Sequence, residues 1–198
     1  MEDSCIPIVR ALAIWSGAIA GLMMILVGGL IPSALIIPEF DIPIKILNLP
    51  STWQVPSLLL TALVCGPRAA VIASIAYLTI GLTQLPVFHG GGSLSYITNP
   101  GFGYLTGFIP AAWLSGRLAQ KVDSNDVAYL TLCALCGVIL LQIWGMLYLI
   151  IYSTIGIWSE TLPELIFSYS IVPLPAQIIL CPAIGFISLA LRKLLFIV

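Results

Sequence analysis

Long uncharged apolar stretches alternate with short polar connectors along the whole chain. Read by length, the apolar stretches predict six membrane-spanning helices over 9–31, 51–65, 67–82, 103–121, 127–152 and 172–196. The first, VRALAIWSGAIAGLMMILVGGLI, carries no charge after Arg10 and exceeds the ~20 residues that cross a bilayer. The second and third are each short of that length and must extend into their flanks, with Gly66-Pro67-Arg68 forming a tight turn between them. Pro32 ends the first helix, and 32–50, where Glu39, Asp41 and Lys45 lie among prolines, reads as a loop or partly buried cap. Asp126 is placed to cap the fifth helix, since its side chain can accept from a free N–H of the first turn. The stretch 153–171 mixes Glu160 and Glu164 with Trp158, Phe167 and Tyr169, the pattern of an amphipathic segment lying in the membrane interface. Pro173, Pro175 and Pro182 predict an irregular start to the last helix, which a membrane tolerates where backbone lines a cavity.

Composition agrees with a membrane-embedded bundle. Of 198 residues, 60% are hydrophobic and 8% charged, and the mean hydropathy is +1.13, against about 25% charged residues in soluble domains. A net charge of −1 predicts neither nucleic-acid binding nor strong attraction to anionic lipid. The first segment is too long for a removable signal peptide and lacks a small-residue cleavage site, so it is expected to remain. With six spans and an internal N-terminus, Arg10, Arg68, Arg117, Lys121, Arg192 and Lys193 fall on the inner side and only Lys45 outside. That asymmetry is the one expected of cytoplasmic loops, and it puts both termini inside. The five cysteines show no regular spacing, which argues against a disulfide framework.

The outer loop, 83–103, is where binding is expected. His89, the only histidine, precedes Gly90, Gly91 and Gly92; Tyr96, Asn99-Pro100 and Gly101-Phe102-Gly103-Tyr104 follow, without a single charge. Glycines allow close backbone approach to a ligand, and irregular segments on a rigid scaffold are the usual carriers of binding. The residues expected to touch a ligand are Gln54, Gly91, Gly92, Tyr96, Asn99, Tyr104 and Gln177. The two glutamines would hydrogen-bond an amide or ureido group, and the tyrosines would pack on a ring or chain. Packing within the bundle is an equal rival for each aromatic. Ala13, Gly17 and Gly21 recur every four residues and let another helix approach closely, either within the bundle or from a partner protein.

The chemistry that is missing narrows the function. No span carries a clear midplane charge, which proton and ion pathways usually need. The GxxxxGK[ST] signature of a phosphate-binding loop is absent, so uphill transport would need energy from another subunit. Cys133-Ala134-Leu135-Cys136 is the one pattern suggestive of a redox enzyme. It lies inside an apolar run, where cysteines generally act as small hydrophobes. No metal or cofactor is expected.

LPSTWQ (49–54), LLLTALVCGPR (58–68), YLTIGL (77–82) and LPVFHGGGSLSYITNPGFGYLTGF (85–108) resemble BioY, the substrate-binding S components of biotin energy-coupling factor (ECF) transporters. The resemblance is detailed from about Pro50 to Gly116 and fits the size and six-helix plan over the whole chain. It implies an all-α, S-component-type bundle that binds biotin on the outer side and works with a transmembrane T subunit and two ATPase subunits. It also implies that Ala13, Gly17 and Gly21 face the T subunit, that the loop between helices one and two closes over ligand, and that reorientation of the subunit carries ligand inward. One departure stands out. Where the family opens its last helix with Pro-Gly-Asp-x-x-Lys, this chain has Pro175-Ala176-Gln177-Ile178-Ile179-Leu180, with Gln177 at the acid and Leu180 at the base. Losing the lysine removes a cationic partner for a carboxylate, which Lys45 could replace. The ligand is therefore either biotin or a neutral, lipophilic small molecule bound by the same lineage.

Overall fold

The computed structural model describes residues 5–37, 45–83, 87–88, 91–121, 126–158 and 160–195. The chain begins with α1 (Cys5–Leu30), then a hairpin of β1 (Pro32–Ile37) and β2 (Lys45–Thr52), then α2 (Gln54–Thr83). A short 3-10 turn (Leu94–Thr98) leads into α3 (Phe102–Thr106) and α4 (Phe108–Ala119). The remainder is α5 (Val127–Ile155), α6 (Leu162–Ile166), a π turn (Phe167–Ile171) and α7 (Leu174–Leu194). Among the described residues, four stretches are long and apolar enough to cross a membrane: Ile8–Leu30, Gln54–Thr83, Val127–Ile155 and Leu162–Leu194. Trp15, Ile19, Met23 and Val27 on α1, Ile139, Ile143 and Leu147 on α5, and Phe186 on α7 are exposed, an apolar surface that a soluble monomer rarely carries. This is an integral, multi-pass membrane protein.

Where 32–50 reads as a loop, the chain forms an antiparallel hairpin, with Ala34 opposite Asn48 and Ile37 opposite Lys45. The prolines do not prevent it. Pro32 opens its strand, where its missing N–H breaks no ladder, and a register shift between Pro32 and Ala34 absorbs the mismatch. Ala34–Ile37 and, Asn48 aside, Ile46–Leu49 are aliphatic and rich in strand-compatible residues. Trp53 N–H donates to the Ile31 carbonyl at 3.0 Å, closing the hairpin base and fixing where α1 ends and α2 begins.

Gly66 breaks α2. Its backbone (φ 86°, ψ 173°) leaves the helix entirely, in a region glycine enters without a Cβ penalty, and Pro67 restarts the helix with its φ already set. The halves then fold back on each other, because the Gln54 amide lies beside the Tyr77 hydroxyl. Along a continuous helix, 23 residues of separation would put them about 34 Å apart. Gly17 of α1 sits against Cys65, its Cβ position 2.9 Å from Cys65 Cβ, while Gly28 sits against Ser57 and the Trp53 carbonyl. So α1 runs antiparallel to the first half of α2.

At the Gly66 end, the buried Arg192 guanidinium joins three elements. Its Nη2 donates to the Leu63 carbonyl at 2.6 Å and to the Ala119 carbonyl at 3.2 Å, and its Nε to Leu63 at 2.9 Å. These carbonyls end the first half of α2 and α4, where the backbone has no helical partner left and the helix dipole favours a cation. Asp126 caps α5, accepting from Ala128 N–H at 3.1 Å, and Gly156 ends that helix in the left-handed region (φ 73°). Thr161 and Glu164 form a capping box at α6, Thr161 N–H donating to Glu164 Oε2 at 3.1 Å. Within 153–171, then, the last turn of α5, a short connector, α6 and the π turn follow one another.

Candidate functional site

At the end of the bundle away from Gly66, the aromatic residues of several elements converge. Tyr77 of α2 is buried at 1% exposure and donates from its hydroxyl to the Val87 carbonyl at 3.3 Å. Its ring meets Phe88 edge-on at 5.4 Å and stacks on Phe108 at 6.3 Å. Phe88 in turn lies 4.8 Å from Tyr96. A bridge between Phe88 and Gly91, with Gly91 N–H donating to Phe88 at 3.0 Å, turns the chain back on itself. Gly91 adopts φ 130°, with open space where a Cβ would point, so the turn requires glycine and its backbone borders an opening.

Beyond that turn, the Tyr96 hydroxyl and the Tyr169 ring both approach Gly101, lying 3.5 and 3.4 Å from where its Cβ would be. Tyr169 stacks against Tyr104 at 6.4 Å. The Tyr104 hydroxyl hydrogen-bonds Ser170, and its ring covers Gly145 of α5. One turn from Gly145, the Gln142 amide donates to Gln177 Oε1 at 2.9 Å. Both glutamines are buried, at 4% and 7% exposure. This pair joins α5 to α7 in an apolar setting, where polar side chains need partners.

The loop over this end is held by α5 and the connector that follows it. The Tyr148 hydroxyl donates to the Ile97 carbonyl, and the Trp158 indole N–H donates to the Thr98 carbonyl at 2.6 Å. Tyr148, Tyr152 and Trp158 stack on one another, with centroids 4.2 and 5.8 Å apart.

Of the residues singled out in the sequence, Gln54, Gly91, Tyr96, Tyr104 and Gln177 all lie on this end, linked through the contacts above. Gly92 follows Gly91 at its rim. Asn99 is there too, and its Oδ1 accepts from Gly101 N–H at 2.9 Å, so that oxygen shapes the local turn. His89 and Gly90 lie outside the described residues, as does the side chain of Lys45. Gly17 and Gly21 are buried against Cys65, Ala69 and Thr61 of α2, so they serve packing within the bundle; only Ala13 of that row is exposed. Cys133 is buried at 2% exposure, and among the described residues no group of His, Cys, Asp and Glu could hold a metal.

Sequence reading missed Tyr77, Gln142, Tyr169 and Ser170. Gln142 had a signal: it is the lone polar amide in the apolar run Val127–Ile155, and polar groups inside a span tend to mark functional sites. Tyr77 had none, because only the fold-back at Gly66 brings it next to Gln54.

The cluster is built from neutral side chains. Arg68, Arg192 and Lys193 lie at or near the Gly66 end or the close of α7, and Arg117 lies in the last turn of α4, over Trp113 at 5.7 Å. Among the described residues, Glu160 is the charge that bears on the site, acting electrostatically on the Tyr169 hydroxyl.

The BioY family model matches residues 14–196. The chain belongs to the BioY family. Among relatives, it is 32% identical over 109 residues to a probable biotin transporter BioY of Lysinibacillus sphaericus, covering 55% of each chain. It is 37% identical over 93 residues to the biotin transporter BioY of Thermotoga maritima, covering 46% of this chain and 55% of that one. The match thus spans about half the length of these two curated relatives. The crystal structure of an S-component for biotin from an ECF-type ABC transporter superposes with a TM-score of 0.70, covering 93% of this chain and 92% of that chain at 24% identity. That likeness shows the fold. On α5, Cys133 is buried in the core and Cys136 is half-buried beside it.

Proposed function

We propose that this protein is a biotin-binding S component that works with a T subunit and two ATPase subunits of an ECF-type transporter. The observation that carries this is the neutral aromatic and amide cluster at one end of a BioY bundle, where Gln54, Tyr77, Tyr96, Tyr104, Tyr169 and the Gln142–Gln177 pair meet. Stacked tyrosines suit a small apolar ring, and buried amides suit a ureido group, a division of labour usual for small-molecule pockets. The relatives named above as biotin transporters support the same ligand. Gly91, Gly92 and the Asn99 amide group belong to the loop that would cover it.

Six passes are the arrangement best supported by the contacts: α1, the two halves of α2, α3 with α4, α5 and α7. With the arginines and lysines at the Gly66 end on the cytoplasmic side, both termini are inside and the site opens outward. The T-subunit surface then includes Ala13 and the exposed stripe of α1 rather than Gly17 and Gly21. Energy comes from the ATPases, because this chain carries no phosphate-binding loop.

Uptake tests the whole reading. Cells that cannot make biotin, expressing this chain with a T subunit and the two ATPases, should accumulate labelled biotin, and an inactive ATPase variant should abolish the gain. Accumulation no greater than in cells lacking the chain would refute it.

A further inference from the structure

We propose that the site recognises its ligand through uncharged amides, with Gln142 as a ligand-binding residue, and that no cation among the described residues is placed to meet a carboxylate. This deepens the biotin reading above and rests on it. Two polar atoms are buried without hydrogen-bond partners. Gln142 donates to Gln177 at 2.9 Å but its Oε1 has no hydrogen bond, and Gln54 Nε2 has none either. Gln54 lies beside the Tyr77 hydroxyl, yet its amide nitrogen makes no hydrogen bond of good geometry. Turning both amides of the Gln142–Gln177 pair over exchanges the free oxygen of Gln142 for a free N–H, so the pair offers one unused polar atom in either setting.

An unused acceptor and an unused donor at the same end of the bundle are the complements of an N–H and a C=O, the two groups that a cyclic urea or a secondary amide carries. A buried polar group without a partner is costly, so a ligand supplying both partners gains what the empty site forgoes. A carboxylate gains nothing comparable. Among the described residues the side chains of the cluster are neutral, Glu160 acts on Tyr169 at the rim, and Arg68, Arg192 and Lys193 are set near the opposite end of the bundle. An anion without a cation in apolar surroundings is disfavoured. Hence the acid end of biotin lies toward water, and converting it to an amide leaves binding intact.

The test is isothermal titration calorimetry of the detergent-purified protein with biotin and with biotinamide, which keeps the ring system and replaces the carboxylate. The expected dissociation constants agree within about threefold, and Gln142→Leu weakens both ligands alike by about tenfold or more. Lys45→Gln should leave the ratio of the two affinities unchanged. Biotin binding more than about tenfold tighter than biotinamide, or a Lys45→Gln variant that loses the acid selectively, overturns the inference and leaves the biotin reading standing. Unchanged affinities in Gln142→Leu overturn the role given to Gln142. Saturable binding of neither ligand overturns the biotin reading and the inference together.

Discussion

Arg192 on the last helix and Leu63 on the second are joined by two hydrogen bonds, from Nη2 at 2.6 Å and from Nε at 2.9 Å. A third bond from the same guanidinium reaches Ala119 at 3.2 Å, so one buried cation fastens three helix ends. Hydrogen bonds from charged groups contribute about 1.5–3 kcal/mol. Arg192→Ala should therefore lower the unfolding free energy by about 2–3 kcal/mol. Arg192→Lys should recover only part of that, since an ammonium lacks the fork that meets two carbonyls. Thermal unfolding in detergent micelles reads both; equal melting temperatures for wild type and Arg192→Ala would contradict the fastening role.

Gly66 carries the reversal of α2 on a backbone that L residues rarely adopt, and the Gln120 side chain occupies the space where a Cβ would go. A non-glycine residue there meets strain of about 1–3 kcal/mol on top of the clash. Gly66→Ala should cut the yield of folded, monodisperse protein more than Gly156→Ala does, although Gly156 also has positive φ (73°), because nothing lies within 4 Å of the Gly156 Cβ position. Size-exclusion profiles of the two variants make the comparison; equal yields would show that Gly66 is replaceable.

Trp158 reaches across to the Thr98 carbonyl at 2.6 Å and holds the 3-10 turn before Asn99. Trp158→Phe keeps a ring in the stack with Tyr152 but loses the N–H. One neutral hydrogen bond contributes roughly 0.5–1.5 kcal/mol, so ligand dissociation should speed up by about 2–10-fold with little change in melting temperature. Stopped-flow chase of bound ligand measures the rate, and a rate equal to wild type would detach this contact from the site.

The legible part of the molecule was what hydropathy and backbone chemistry encode locally. Long apolar runs forecast α1, α5 and α7; Gly66-Pro67 forecast the break in α2; and Asp126 forecast its own cap, now seen on Ala128 N–H. The hairpin at Pro32–Thr52 was hidden because its prolines resemble loop punctuation, while strand pairing depends on a partner stretch several residues away. Tyr96, Tyr104 and Gly91, which the sequence singled out, lie at the end of the bundle where the aromatic cluster forms. The interhelical partners were not legible: Gln142 meets Gln177 across 35 residues and Tyr104 meets Ser170 across 66. Asn99 illustrates the converse, since spacing alone could not tell that its oxygen folds back onto Gly101. The row Ala13, Gly17 and Gly21 announced close helix contact correctly as a type of packing, but which helix fills it was set by the course of α2.

The most direct measurement is native mass spectrometry of gently purified protein, with and without added biotin, on wild type and Gln177→Ala. The account predicts one biotin per wild-type chain, saturable on titration, and a weaker complex in Gln177→Ala because the α5–α7 amide pair is lost. Wild-type protein that carries no biotin and takes up none at saturating concentration would contradict it.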